Sequence, residues 1–176
     1  MSRILSIVFH SIYVLPLHII VAMMIGLIVL WVILAEKANG RLRWKLFNGA
    51  VFGAAAAVIL YMTVYSRGES PQAPVLIPFY SFVEARIQPE FYRSMLMNVF
   101  LFEPIGLSLP NILPQKTHPV LLAVMFAMLL SIGIEAAQFY FSLGRCETDD
   151  VIMNTLGAAI GGLAYGRSVN RIVQLS

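Results

Sequence analysis

The sequence predicts an all-α fold, a polytopic transmembrane helical bundle of about five spans in a single domain over residues 1–176. Three observations carry that expectation. Hydrophobic residues make up 59% of the chain and charged residues only 12%, with a mean hydropathy of +0.81, whereas a soluble domain carries roughly 25% charge. The apolar residues fall into runs close to the ~20 needed to cross a hydrocarbon core as a helix. Lysine and arginine gather in alternate loops, as expected when the cytoplasmic side retains positive charge. Cys146 is the single cysteine, which excludes an internal disulfide. A Gly-rich phosphate loop, HExxH, CxxC and a basic surface interleaved with aromatics are all missing from the sequence. No cofactor, metal or nucleic-acid partner is therefore expected.

An apolar run follows Arg3 and continues to Ala35, interrupted only by His10 and His18. It exceeds the 7–15-residue core of a secretory signal and reads as a retained anchor. Residues 17–35 supply the first span. Residues 4–14 are an extension of it or a short interfacial helix, since Pro16 bends or restarts a helix. Residues 46–65 form the second span, with small residues from Gly53 to Ala57 that allow close packing. The polar stretch 66–93 is punctuated by Pro71, Pro74, Pro78 and Pro89, and its middle, 75–83, is apolar enough to touch or dip into the interface. Residues 94–109 are short for a span and contain Pro104, so this third segment is a kinked full span or a re-entrant one. Residues 120–143 form the fourth and cleanest span. Residues 151–165 form a short, glycine-rich fifth. Its Gly157/Gly161 and Gly162/Gly166 pairs have GxxxG spacing, which favours close helix contact over lipid exposure and allows a helix-mediated oligomer.

The loop after the first span holds Lys37, Arg41, Arg43 and Lys45 against Glu36 alone. Placing it in the cytoplasm puts the N-terminus outside, and five full spans then bring Lys116, Arg167 and Arg171 inside as well. The outer loops become 66–93, with balanced charge, and 144–150, where Arg145 faces Glu147, Asp149 and Asp150. The expectation is a cell-membrane (cytoplasmic or inner membrane) protein, N-out and C-in. A re-entrant third segment would invert the last two spans.

Within this frame the polar residues of the apolar stretches converge. Glu135 and Gln138 share one face in the outer half of the fourth span. Asn154 lies one turn below the start of the fifth, on the face of Asp150. Asn98 falls near the outer end of the third segment, Arg67 follows the second span, and Arg145 and Asp149 lie in the outer loop. An intramembrane carboxylate is costly unless paired, and Arg67 or Arg145 is the natural partner for Glu135. The plainer alternative is that Asn98, Gln138 and Asn154 only bond neighbouring helices, each contact being worth about 0.6–2 kcal/mol. Cys146 as a nucleophile would need a base, and His118 begins the fourth span on the opposite side. The acidic run 147–150 offers oxygen ligands for a cation, but a solvated helix N-terminus explains it more simply.

Two stretches resemble the VanZ-like family, named for a protein linked to resistance to the glycopeptide antibiotic teicoplanin. The first comprises Asn98-Val99, Phe102, Pro104, Gly106 and Pro110. The second comprises Glu135, Gln138, Arg145, Asp149-Asp150, Asn154, Gly157 and Gly161. Arg67 and Pro78-Phe79 match in kind, and the likeness extends over residues 63–166. Glu103 stands where the family usually has an apolar residue and would add a third carboxylate to the polar layer. The spacing from Arg145 to Asp149 is about one residue short of the family pattern. The resemblance implies a multispan protein of the cell membrane, without an established reaction. With the polar layer, it leads to recognition of an envelope glycolipid, peptidoglycan precursor or amphiphilic glycopeptide antibiotic by Arg67, Asn98, Glu135, Gln138, Arg145, Asp149, Asp150 and Asn154, in a protein otherwise surrounded by membrane lipids. Two other readings stand beside it. One is an intramembrane enzyme using Glu135 and Asp150 as acid and base on a lipid-linked substrate. The other is a structural subunit or chaperone working through its GxxxG faces.

Overall fold

A computed structural model describes residues 16–38, 40–114 and 118–165. Pro16, extended at its own position, opens helix α1 (Leu17–Glu36). Gly40, at φ +99°, makes the left-handed turn that leads into α2 (Arg41–Leu60). The second span therefore starts five residues before its expected position and takes Arg41, Arg43 and Lys45 into its first turns. It ends in a π-helical turn, Tyr61–Tyr65. A short helix α3 (Tyr80–Ala85) interrupts the polar stretch. Three more follow: α4 (Glu90–Ile112), α5 (Pro119–Tyr140) and α6 (Thr148–Gly162). The expected helix at 4–14, Lys116, Gly166, Arg167 and Arg171 lie outside the described residues.

Four helices, α1, α2 with its π-turn, α4 and α5, are long and apolar enough to cross a membrane. The third segment is thus one continuous 23-residue helix, longer than the 94–109 run indicated. Pro104 and Pro110 lie inside it, and each removes one backbone donor. Ser108 Oγ donates to Pro104 O (2.6 Å) and Asn111 Nδ2 to Leu107 O (2.8 Å), so both polar side chains are spent on the carbonyls of their own helix. The fifth expected span is α6, whose 15 residues rise only about 22 Å, less than a bilayer core.

α4 is the centre of the bundle. Within its apolar window 61% of residues are buried, against 17–28% in the other three long helices. Near the Arg67 end, Ile20 and Met24 of α1 pack with Met95, Val99 and Met153. Midway, Ile59, Phe102, Ile105, Ala127 and Ala158 join α2, α4, α5 and α6. At the opposite, basic end, Trp31, Trp44, Leu107 and Ala164 close the core. The glycines of α6 lie against α4 within the chain. A Cβ added at Gly157 would fall 2.1 Å from Val99 O, one at Gly161 2.2 Å from Glu103 O, and one at Gly106 1.9 Å from Ala158 O. The small residues of α2 behave differently: Ala55 enters the core, but Gly53 faces open space.

Candidate functional site

At the Arg67 end, the chain between α2 and α3 lies along the α5–α6 loop. Ser70 N–H donates to Ser142 O (2.7 Å) and Val75 N–H to Cys146 O (2.9 Å), while Thr148 N–H donates to Val75 O (3.1 Å). The two bonds of Val75 make a single parallel bridge between Val75 and Glu147. The pairing leaves Phe79 in the left-handed region at φ 63°, an unusual position for an aromatic residue. Asp149 holds it there. Its Oδ1 accepts the Phe79 N–H and its Oδ2 the Ser81 N–H (2.7 Å), satisfying donors at the start of α3. Ser81 in turn donates from Oγ to Glu147 (3.0 Å).

Arg145 completes this scaffold. Its guanidinium donates to both oxygens of Glu84 (2.9 and 2.6 Å) and through Nε to Glu147 (2.7 Å), and it lies 5.2 Å over the Phe91 ring. The bidentate hydrogen bonding from Arg145 holds the Glu84 carboxyl below its ordinary value. Of the two arginines expected as partners for Glu135, Arg145 is therefore taken up elsewhere. Glu84, in a loop of balanced charge, gave no sequence signal beyond sharing a helical face with Ser81.

Glu135 is buried and its Oε2 accepts the Glu147 N–H (2.8 Å). Gln138, one turn on, donates to Thr63 O (3.0 Å), fastening α5 to the π-helical end of α2. Asn98 of α4 donates to Asp150 of α6 (2.7 Å), and Asn154 donates to Ser131 of α5 (2.8 Å). These last contacts are the interhelical bonds of the plainer alternative, and they fix the depth and rotation of three helices around the two carboxyls. Arg67 is close enough to attract both Glu135 and Asp150 electrostatically. Among the described residues it makes no ion pair within 4 Å; the two ion pairs present both belong to Arg145. Gly144, at φ +147°, leaves room for it: a Cβ there would fall 2.9 Å from Arg67 Nη1. Cys146 lies beside Glu135. Burial, with the charges of Glu135 and Asp150, raises its thiol above the ordinary value and disfavours a thiolate nucleophile.

The acidic run is not a solvated helix end, because Glu147, Asp149 and Asp150 are each engaged by cross-links. Among the described residues, no group of three or more His, Cys, Asp or Glu side chains is arranged to hold a metal ion. Glu103 does not join the layer. It is fully buried, lies about 7.5 Å deeper along α4 than Asn98, and neither of its oxygens finds a hydrogen-bond partner among the described residues.

The fold and this rim define a small multispan membrane protein carrying a charged site at one end of its helical bundle. Residues 50–169 match the VanZ/LLP1 family, and the chain belongs to it. It is 39% identical over 77 residues to Protein VanZ of Enterococcus faecium, a match covering 44% of this chain and 47% of that protein. The alignment therefore spans about half of the relative's length. No solved structure matches.

Proposed function

We propose that the protein recognises the polar head of a cell-envelope amphiphile, a lipid-linked precursor, glycolipid or glycopeptide antibiotic, at the extracytoplasmic rim. Arg67, Glu135 and Asp150 are its contact residues. Asn98, Gln138, Arg145, Asp149 and Asn154 position them. One observation carries this reading: Arg145 is consumed by Glu84 and Glu147, whereas Arg67, within electrostatic reach of the Glu135 and Asp150 carboxyls, makes no ion pair among the described residues. Such an arrangement offers both charge signs to a zwitterionic or hydrogen-bonding head group. Kinship with a VanZ protein favours a ligand of the envelope.

The test compares two neutralisations. Glu135→Gln keeps the shape and still offers an oxygen to the Glu147 N–H, so the fold should persist while function in a complementation assay falls at least tenfold. Glu69→Gln, in the exposed part of the same rim, should be silent. Equal tolerance of both removes the charged site and leaves a structural role for Glu135.

A second reading is favoured by the mutual electrostatic reach of Glu135 and Asp150: one carboxyl as acid and the other as base on a lipid-linked substrate. Purified protein with a panel of lipid-linked substrates separates the two. Turnover supports the enzyme, and saturable binding without turnover supports the recogniser.

A further inference from the structure

The segment from Leu76 to Ile87 divides its side chains in an unusual way for a loop beyond the ends of the spans. Its polar and small groups turn inward: Ser81 and Ala85 are buried, and Glu84 is held by Arg145. Its large apolar groups turn outward, with Leu76 66%, Ile77 64%, Phe79 58%, Val83 53% and Ile87 81% exposed. Phe79 and Phe82 lie 6.2 Å apart between centroids and add aromatic area to that surface. In water this much contiguous apolar exposure is unfavourable and needs an occupant.

We propose that residues 76–87 form a collar immersed in the boundary between head groups and acyl chains, in the leaflet at the Arg67 end. Two features select the bilayer over a protein partner. The collar stands at the same end of the bundle as Tyr65 and Tyr140, the exposed aromatic residues that end α2 and α5, where interfacial aromatic belts form. It is also tied to the α5–α6 turn, through the backbone bonds of the adjoining Val75 and through Asp149 and Arg145, which hold Phe79, Ser81 and Glu84, and this fixes its height relative to the membrane-spanning surface. Arg86, exposed between Val83 and Ile87, can extend its guanidinium to lipid phosphates while its stem lies along the collar. Immersion of about 5–10 Å is usual for such surfaces. The proposal stands whether or not the adjacent site binds a ligand.

A fluorophore placed on the collar tests it. Cys146→Ala removes the sole thiol, Ile87→Cys or Val83→Cys then carries bimane, and Glu69→Cys serves as the exposed control. The full chain is reconstituted in vesicles of phosphatidylcholine with plain or brominated acyl chains. At residues 87 and 83, brominated lipid should lower emission at least twofold and aqueous iodide should have little effect. At residue 69 the order should reverse. Strong iodide quenching at both collar positions places them in water and overturns the proposal. Blue-shifted emission that neither quencher reaches overturns it too, since the cover would then be protein, such as a second copy of the chain.

Discussion

At the scale of single residues, Cys146 reports on its surroundings. Burial and the Glu135 and Asp150 carboxyls oppose its ionisation, so its maleimide labelling should be slow at neutral pH and still be climbing at the ordinary thiol value of 9.0, where an unshifted thiol begins to level off. Glu135→Gln removes one of the opposing charges, and labelling at a fixed pH should become severalfold faster; an unchanged rate would show that Glu135 carries no charge there. Glu84 carries a second expectation. Its folded value is depressed below the ordinary 4.5 by Arg145, so its stabilising effect is complete above about pH 4.5 and is lost as pH falls through the lower folded value. Proteolysis of the 66–93 loop should accelerate in that acid window. Glu84→Gln should loosen the loop already at pH 7 and abolish the acid step. The sequence exposed Glu135, Gln138, Asn98 and Asn154 because polar groups stand out within apolar runs. It concealed Glu84, because a carboxylate between Arg67 and Arg93 looks like ordinary loop charge. It left Arg67 and Arg145 as alternative partners for Glu135, and the fold of the 66–93 stretch decides between them by bringing Glu84 to the Arg145 guanidinium.

At the scale of helices, glycine has two opposite roles that spacing alone separates only in part. Gly157 and Gly161 lie against the α4 backbone, as the GxxxG spacing indicated. Gly106 does the same from the α4 side without such a motif. Alanine at Gly106 or Gly157 must force these backbones apart, at a cost of about 1–3 kcal/mol or more. Alanine at Gly53 or Gly133 meets nothing within 4 Å and should gain up to ~1 kcal/mol from better helix propensity. Thermal unfolding of the four variants in detergent checks both signs, and loss at all four would mean that Gly53 and Gly133 are covered in the membrane. Helix positions were legible from hydropathy because the solvent imposes them. Helix ends were less so. The turn at Gly40 draws charged residues into α2, and α4 continues past both prolines in the middle of the bundle, where packing on several sides holds it.

For the molecule as a whole, the charge pattern sets an orientation that direct labelling can read. The basic residues from Lys37 to Lys45 and the rim around Arg67 lie at opposite ends of the bundle. If the first is cytoplasmic, a membrane-impermeant maleimide applied to intact spheroplasts at raised pH should modify Cys146, and a reporter fused after Ser176 should read cytoplasmic. Labelling that requires lysis inverts the arrangement. The three glycine contacts bear on how such a molecule can work. They join α4 and α6, the two helices that also carry Asn98 and Asp150. Main chains at that separation cannot slide or rotate past one another without collision, so the Asn98–Asp150 bond sits on a pair of helices locked in register. α5 and the strapped loop meet this pair differently, through side-chain bonds such as Asn154 to Ser131 and Glu135 to the Glu147 N–H, so a substitution there can shift a side chain without moving a helix.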